Sequence, residues 1–192
     1  GTGTVLGIDI AKSPLQLRQS IGYLPEVDCH IPGMSAVEFV AYTGELVGMP
    51  PNDAMTRSHE VLDYVGLADE RYRLVHTYST GMRQRVKLAQ ALVHDPAIVL
   101  LDEPTAGLDP AGREEMLDLV RKTHKEFGIS ILFSSHLMAD VERTCDRIIV
   151  LREGRVIQSG EVKSFTEETE TVYIEVDTNK EQFVAALRQR DR

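Results

Sequence analysis

Two adjacent carboxylates, Asp102 and Glu103, follow the apolar run IVLL at residues 98–101 and precede Pro104. The run is typical of a strand that is buried on both faces of a parallel sheet. In open α/β sheets, ligands bind outside the carboxyl ends of such strands. Because successive strand side chains point to opposite faces, one carboxylate could help to hold a magnesium ion while the other faces an attacking water. The alternative is that both residues only cap the helix after Pro104.

A second group of candidate residues lies at the start of a predicted helix, in the segment YSTGMRQR at residues 78–85. Ser79 is a favourable N-cap, and Gly81 leaves the first free backbone N–H groups uncovered, so this helix start predicts an anion site. Arg83 and Arg85 lie where the helix dipole disfavours positive charge, and a docked phosphate would offset that cost. An ordinary capped surface helix is the alternative for this segment.

A histidine also follows the next apolar strand, in the segment ISILFSSHL at residues 129–137. A single histidine is more often structural than functional. His136, however, follows a strand that is predicted to run parallel to the strand of Asp102, so both side chains could reach one crevice. A neutral imidazole can donate a hydrogen bond to the terminal phosphate of a nucleotide.

Hydrophobic periodicity predicts the elements that position these residues. From residue 98 onward, strands and helices alternate, which predicts a parallel sheet with helical crossovers. The predicted elements are a strand at 98–102, a helix at about 110–126, a strand at 129–134, a helix at 137–144 and a strand at 147–151. A hairpin at 150–160, which turns at Glu153 and Gly154, follows them.

Helical signals dominate between residues 30 and 95. Ser35 and Glu38 form a capping box at the start of the first of three predicted helices. These helices are predicted to run from Ser35 to about Gly48, over 52–67, and from Ser79 onward. A small hairpin at 3–11 and a short strand at 20–26 precede them.

Composition restricts the class of protein. The chain has 192 residues, of which 42% are hydrophobic and 27% charged, so it can bury a substantial core and is not a disordered chain. Its net charge of −9 argues against nonspecific binding to nucleic acid or to anionic lipid. No apolar stretch has the length of a transmembrane helix. Cys29 and Cys145 form no CxxC pair, which argues against a zinc site and favours a reducing, cytoplasmic compartment.

The motifs, in this order and at these distances, resemble the ATP-binding subunit of ABC transporters over about residues 3–160. The resemblance implies an α/β fold with a P-loop NTPase-like parallel sheet, helical crossovers, an α-helical signature subdomain and a short α+β C-terminal extension. It implies binding and hydrolysis of ATP with Mg²⁺, coupled to export through a transmembrane permease subunit. It also implies a second ATP-binding subunit in a head-to-tail dimer, and a cytoplasmic location on the inner face of the cell membrane through the permease.

The resemblance assigns a role to each motif. IVLLDEP matches the Walker B strand, which makes Asp102 the magnesium-side carboxylate and Glu103 the catalytic base. His136 matches the switch histidine of the family. GYLPE stands where the family has its Q-loop, which implies that Glu26 contacts the magnesium ion. The signature motif and the D-loop imply nucleotide contacts from Ser79, Thr80, Gly81, Met82 and Asp109.

The sequence departs from the family pattern in three places. The P-loop motif G-x-x-x-x-G-K-[ST] does not occur in the 192 residues, and the partly similar segment LGIDIAKS at 6–13 lacks its glycines. We therefore expect an N-terminally truncated chain that is inactive as an ATPase by itself. Glu26 replaces the usual Q-loop glutamine. The signature carries a variant that resembles export-type members, with substitutions at Tyr78, Thr80 and Met82.

The expected domains are a partial ABC ATP-binding domain at residues 1–160, with a helical subdomain at about 30–95, and the start of a C-terminal accessory module at 161–192. The accessory module would begin with a strand at 171–177. Two other functions remain open. One is a soluble ABC ATPase that acts in DNA repair or translation, although the long coiled-coil insertions or paired cassettes of such proteins are not visible. The other is a noncatalytic binding fragment.

Overall fold

The computed structural model describes residues 2–166, and the chain divides into two compact units. The first unit ends at Asp146, and the second begins at Arg147. The division expected from the sequence, at residues 160 and 161, stays a prediction. The strand predicted at 171–177 lies outside the described residues.

The first unit contains most of the elements that the sequence predicts. Its N-terminal half consists of β1 (Thr4–Val5), β2 (Ile8–Asp9), α1 (Pro14–Ser20), β3 (Ile21–Leu24), α2 (Ala36–Leu46), α3 (Pro51–Tyr64) and α4 (Thr80–Leu92). Its C-terminal half consists of β4 (Ile98–Asp102), α5 (Pro110–Phe127), β5 (Ser130–Ser134) and α6 (Met138–Thr144). Helix α1 was not predicted, because none of its residues is buried and it has no apolar periodicity.

The central sheet has three parallel strands in the order β3-β4-β5. The crossover from β4 to β5 runs through α5, as the alternating pattern predicts. The register sets Leu101 of β4 beside Leu24 of β3, and Asp102 of β4 beside Ser134 of β5. The ends of the strands that carry Asp102 and His136 therefore lie at the same edge of the sheet.

The two faces of this sheet differ in burial. Leu24, Val99 and Leu101 belong to the hydrophobic core. On the other face, Tyr23 and Leu132 are 51% and 61% exposed. Leu100 of β4, on this same face, is half-buried. The prediction that β4 is buried on both faces is therefore wrong for the described part of the chain, where the core packs against one face only.

Helices α2, α3 and α4 pack together in the segment predicted to be helical. The capping box opens α2: the Ser35 backbone N–H donates to Glu38 Oε2 at 2.8 Å, and the Ser35 side chain accepts from the Glu38 N–H. Helix α4 approaches β3 very closely, because a Cβ added at Gly22 would lie 2.0 Å from the backbone oxygen of Ala91. Only glycine fits at this contact, which fixes the height of α4 above the sheet.

The second unit, where it is described, consists of β6 (Arg147–Arg152), β7 (Arg155–Glu161) and α7 (Lys163–Thr166). The strand predicted at 147–151 is present, but its hydrogen-bond partner is the antiparallel β7. Within residues 2–166, β6 and β7 form a two-stranded sheet of their own. The reason is local, since Glu153 (φ 51°) and Gly154 (φ 74°) form a two-residue turn with the twist that closes a hairpin.

Candidate functional site

The carboxylate pair lies where β4 ends. Asp102 is the last residue of the strand, and Glu103 follows it with a φ of 47°, in the left-handed region. That conformation is uncommon for a residue with a side chain and turns the chain out of the strand. Both carboxylates are half-buried at the edge of the sheet where Ser134 ends β5.

Two side chains from the neighbouring strands contact Asp102. Ser134 Oγ donates to Asp102 Oδ1 at 2.8 Å, and the Tyr23 hydroxyl lies 3.5 Å from Asp102 Oδ2. Burial and the negative charge of Asp102 raise the pKa of Tyr23, so this phenol stays a donor. Asp102 thus has one firmly held oxygen and one oxygen with a single long contact.

His136 contacts Glu103, at the same end of the sheet. His136 Nδ1 lies 3.0 Å from both Oε1 and Oε2 of Glu103. The histidine side chain is 72% exposed and the glutamate side chain is 19% exposed. The structure therefore brings Glu103 and His136 together beside Asp102, at the carboxyl edge of the sheet that the parallel strands predict. The roles of these residues stay a prediction.

The signature segment forms a second cluster at the N-terminus of α4. Ser79 is the N-cap, and its Oγ accepts from the Met82 N–H at 3.2 Å. The cap residue and the first turn line a cleft of about 570 Å³ with the segment that leads into α5. All five residues that the resemblance assigns to the nucleotide line this cleft: Ser79, Thr80, Gly81, Met82 and Asp109.

Close contacts hold the two sides of this cleft together. Gln84 Nε2 donates to the backbone oxygen of Ala106 at 3.2 Å. Gly107 has a φ of 72°, and a Cβ there would lie 3.4 Å from Thr80 Cγ2. Asp109 Oδ1 accepts from the Gly112 N–H at 3.3 Å and so caps α5. Asp109 therefore has a structural role as well as its place on the cleft.

The two arginines of the signature segment are paired within the protein. Arg85 Nη2 lies 2.6 Å from Glu115 Oε2, and Arg83 Nε lies 3.3 Å from Asp28 Oδ2. The expectation that a docked phosphate offsets the cost of both charges is therefore incomplete, because carboxylates from other elements already compensate them. Sequence spacing did not reveal these partners, which lie 30 and 55 positions away.

The loop after β3 is attached to α4 through a buried lysine. Lys87 is 1% exposed, and its Nζ donates to the backbone oxygens of Pro25 and Glu26, each at 2.9 Å. Burial lowers the pKa of Lys87. The Glu26 side chain is exposed. Among residues 2–166, no group of three or more His, Cys, Asp and Glu residues is arranged to hold a metal ion, so Glu26 and Asp102 do not share such a cluster.

The donors that are present fit a magnesium nucleotide. Mg²⁺ in nucleotide sites is held by one or two carboxylates together with phosphate oxygens and waters, so a three-ligand protein cluster is not needed. Asp102 supplies such a carboxylate and keeps Oδ2 largely available. The N-terminus of α4, which opens into the cleft, offers the backbone N–H groups that bind phosphate.

Two contributors to this site were missed in the sequence. Ser134 was not among the predicted site residues, although its register opposite Asp102 follows once β4 and β5 are aligned in parallel. Lys87 lies among the buried residues of α4, next to Val86, Leu88 and Ala91. A lysine on an apolar face is a signal for a buried partner.

Residues 1–106 match the family model of the ABC transporter. The chain belongs to the ABC transporter family. The ABC transporter ATP-binding protein NatA of Bacillus subtilis is 37% identical over 168 residues, which are 87% of this chain and 68% of NatA. The bacitracin transport ATP-binding protein BcrA of Bacillus licheniformis is 34% identical over 154 residues, which are 80% of this chain and 49% of BcrA.

The fold is also that of the family. The solved structure of cbiO1 from Clostridium perfringens, part of the ABC transporter complex cbiONQ, matches this ABC transporter family chain with a TM-score of 0.76 at 28% identity. The match covers 97% of this chain and 71% of cbiO1. The predicted P-loop NTPase-like α/β fold is confirmed. The chain spans about half the length of the first curated relatives that it matches. Within residues 2–166, no helix is both long enough and apolar enough to cross a membrane.

Proposed function

We propose that the protein is the ATP-binding subunit of an ABC transporter, which binds and hydrolyses ATP with Mg²⁺ to drive export through a transmembrane permease. The observation that carries this proposal is the contact of Glu103 with His136 beside Asp102, at the carboxyl edge of a parallel sheet. Family membership, and the transport named for BcrA, support the same conclusion.

Asp102, Glu103 and His136 would have different roles in hydrolysis. When bound, ATP and Mg²⁺ supply the phosphoryl group and the charge that neutralises its oxygens. Asp102 would hold the magnesium ion, because Ser134 fixes one of its oxygens and the other, Oδ2, has only a long contact with Tyr23. Glu103 orients the attacking water and accepts its proton at a carboxylate oxygen. His136 keeps that carboxylate in place through Nδ1.

The head-to-tail dimer is proposed because the two clusters of this chain have no lining residue in common. The cleft at Ser79 is lined by residues of α4, α5 and the turns beside them, and neither Glu103 nor His136 is among them. A subunit with two such separate half-sites can complete each of them with the other half-site of a partner. The permease partner and the position at the inner face of the membrane are proposed from family membership and from the complex named for cbiO1.

Phosphate release by the full-length protein, alone and with its permease in membrane vesicles, tests this function. We expect turnover that depends on Mg²⁺ and falls at least about 100-fold in Glu103→Gln. Glu142→Gln, a change of an exposed glutamate on α6, is the matched control and should keep its turnover. Turnover that no permease stimulates would instead favour a soluble ABC ATPase. Nucleotide binding without any turnover would favour a noncatalytic protein.

A further inference from the structure

We propose that Ser134 is a positioning residue that holds both carboxylates of the candidate site in their working geometry. The proposal rests on the proposed function, since it assumes that Asp102 serves the metal and Glu103 the water. Ser134 is the last residue of β5 and lies in register with Asp102. Its single hydroxyl donates to Asp102 Oδ1 at 2.8 Å and accepts from the Glu103 N–H at 3.0 Å.

The bond to Asp102 selects one orientation of the carboxylate. A carboxylate at the end of a strand can rotate, and rotation would exchange the two oxygens. With Oδ1 held by Ser134, Oδ2 is the oxygen that faces away from β5. Ser134 is exposed, so water could satisfy both of its partners. The main effect of the Ser134 hydroxyl is therefore to orient the Asp102 carboxylate, because water could replace the hydrogen bonds themselves.

The bond to Glu103 holds an unusual backbone conformation. Glu103 has a φ of 47°, which a residue with a side chain keeps only where the surroundings hold it. Its N–H is bound by Ser134, and its carbonyl oxygen accepts from the Ala106 N–H at 3.0 Å. The residue is thus fixed on both sides. Its side chain is directed at His136 as a result of this conformation.

The adjacent serine provides a matched control. Ser135 Oγ accepts from the Leu137 N–H at 3.1 Å, which is a contact within its own turn. Ser135→Ala and Ser134→Ala therefore remove the same atom from neighbouring residues. Only Ser134→Ala removes a hydrogen bond to the carboxylate pair. Ser134→Thr restores the hydroxyl on a side chain that suits a strand.

The experiment compares these three variants in the full-length protein. Measured are kcat and KM for ATP with Mg²⁺, the melting temperature, and the gain in ATP affinity on adding Mg²⁺ in a Glu103→Gln background. We expect Ser134→Ala to lower kcat roughly 10- to 100-fold, with less change in KM, and to reduce the Mg²⁺-dependent gain in affinity. Ser134→Thr should restore most of kcat and most of the Mg²⁺-dependent gain in affinity. Ser135→Ala should resemble the unmodified protein.

The outcomes separate this proposal from the proposed function. If Glu103→Gln abolishes turnover but Ser134→Ala behaves like Ser135→Ala, the function stands and the positioning role is overturned. If Ser134→Thr is as impaired as Ser134→Ala at an unchanged melting temperature, the hydroxyl is not the cause and the proposal is also overturned. If Glu103→Gln keeps full turnover, the proposed function itself fails.

Discussion

His136 Nδ1 lies at the same distance, 3.0 Å, from each of the two carboxylate oxygens of Glu103. The imidazole is mostly exposed, whereas the carboxylate is mostly buried. A neutral ring must carry its proton on Nδ1 to contact the Glu103 carboxylate, so Nε2, the nitrogen that remains for a ligand, accepts a hydrogen bond rather than donating one. A ligand that moves the ring would therefore also move the proposed base. We therefore expect the positions of Glu103 and His136 to change together when nucleotide binds.

The amide variants of the two adjacent carboxylates should lose different steps of the reaction. Glu103→Gln removes the base and keeps Asp102, the proposed magnesium ligand. ATP should therefore still bind, and the dimer should be trapped closed. Asp102→Asn weakens the metal side, so the ATP affinity measured with Mg²⁺ should fall roughly tenfold or more. ATP affinity with and without Mg²⁺, and dimerisation by light scattering, measure the difference. Equal loss of binding in both variants would contradict this division of labour.

The signature cleft should act on the nucleotide of the partner subunit. Mixing full-length Glu103→Gln subunits with subunits changed at Ser79 should damage the two sites of a mixed dimer unequally, because a cleft that acts on the partner's nucleotide places both changes in one site and leaves the other site intact. Phosphate release from defined mixtures checks this. Mixtures whose activity is the simple average of the two pure variants would show that the cleft acts within its own subunit.

The 192-residue chain by itself should hydrolyse ATP no faster than its Glu103→Gln variant. Positioning of the phosphates provides most of phosphoryl-transfer catalysis, and the G-x-x-x-x-G-K-[ST] motif that positions them is not among these residues. Steady-state phosphate release is the measurement. Robust turnover that Glu103→Gln abolishes would refute the expectation.

Lys87→Met should lower the free energy of unfolding of the full-length protein by about 1–3 kcal/mol, because the carbonyl oxygens of Pro25 and Glu26 lose their buried donor. Lys125→Met, a change of an exposed lysine on α5, is the control and should stay within about 0.5 kcal/mol. Urea denaturation measures both variants. An unchanged free energy of unfolding in Lys87→Met would contradict this prediction, because it would mean that water replaces the ammonium group.

Stability should fall in mild acid, partly because of His94. Its Nε2 lies 3.1 Å from the backbone oxygen of Ile21, its Nδ1 has no partner among the described residues, and burial lowers its pKa below 6.5. The unfolded chain then binds more protons than the native chain, so stability is full above pH 6.5 and is lost as the pH falls through the native pKa.

The His94→Gln variant tests this origin of the pH dependence. Its unfolding free energy should vary less between pH 7 and 5 than that of the unmodified protein. His30, whose pKa burial also lowers, should retain part of the slope. His76→Gln, a change of an exposed histidine, should leave the slope unaltered. If the unfolding free energy had the same pH dependence in His94→Gln, His76→Gln and the unmodified protein, His94 would be excluded as a contributor.

Local chemistry made much of the fold predictable. The capping box at Ser35, the cap at Ser79 and the turn at Gly154 each depend on a few consecutive residues, so their types and spacing suffice. The same holds for β4 and α5, whose periodicity is clear. The strand and helix boundaries around the candidate site therefore agree with the structure to within one or two residues.

Other features depended on which distant segments come together. The sequence by itself determined that Asp102, Glu103 and His136 lie at or just after the ends of strands and that Ser79 opens a helix. Only the tertiary structure decided that Ser134 bridges the carboxylates and that Lys87 is buried against the loop after β3. It also decided that one face of the sheet stays open in the described residues. The reason is physical: strand register and side-chain pairing join residues far apart in sequence, and packing selects them rather than local propensity.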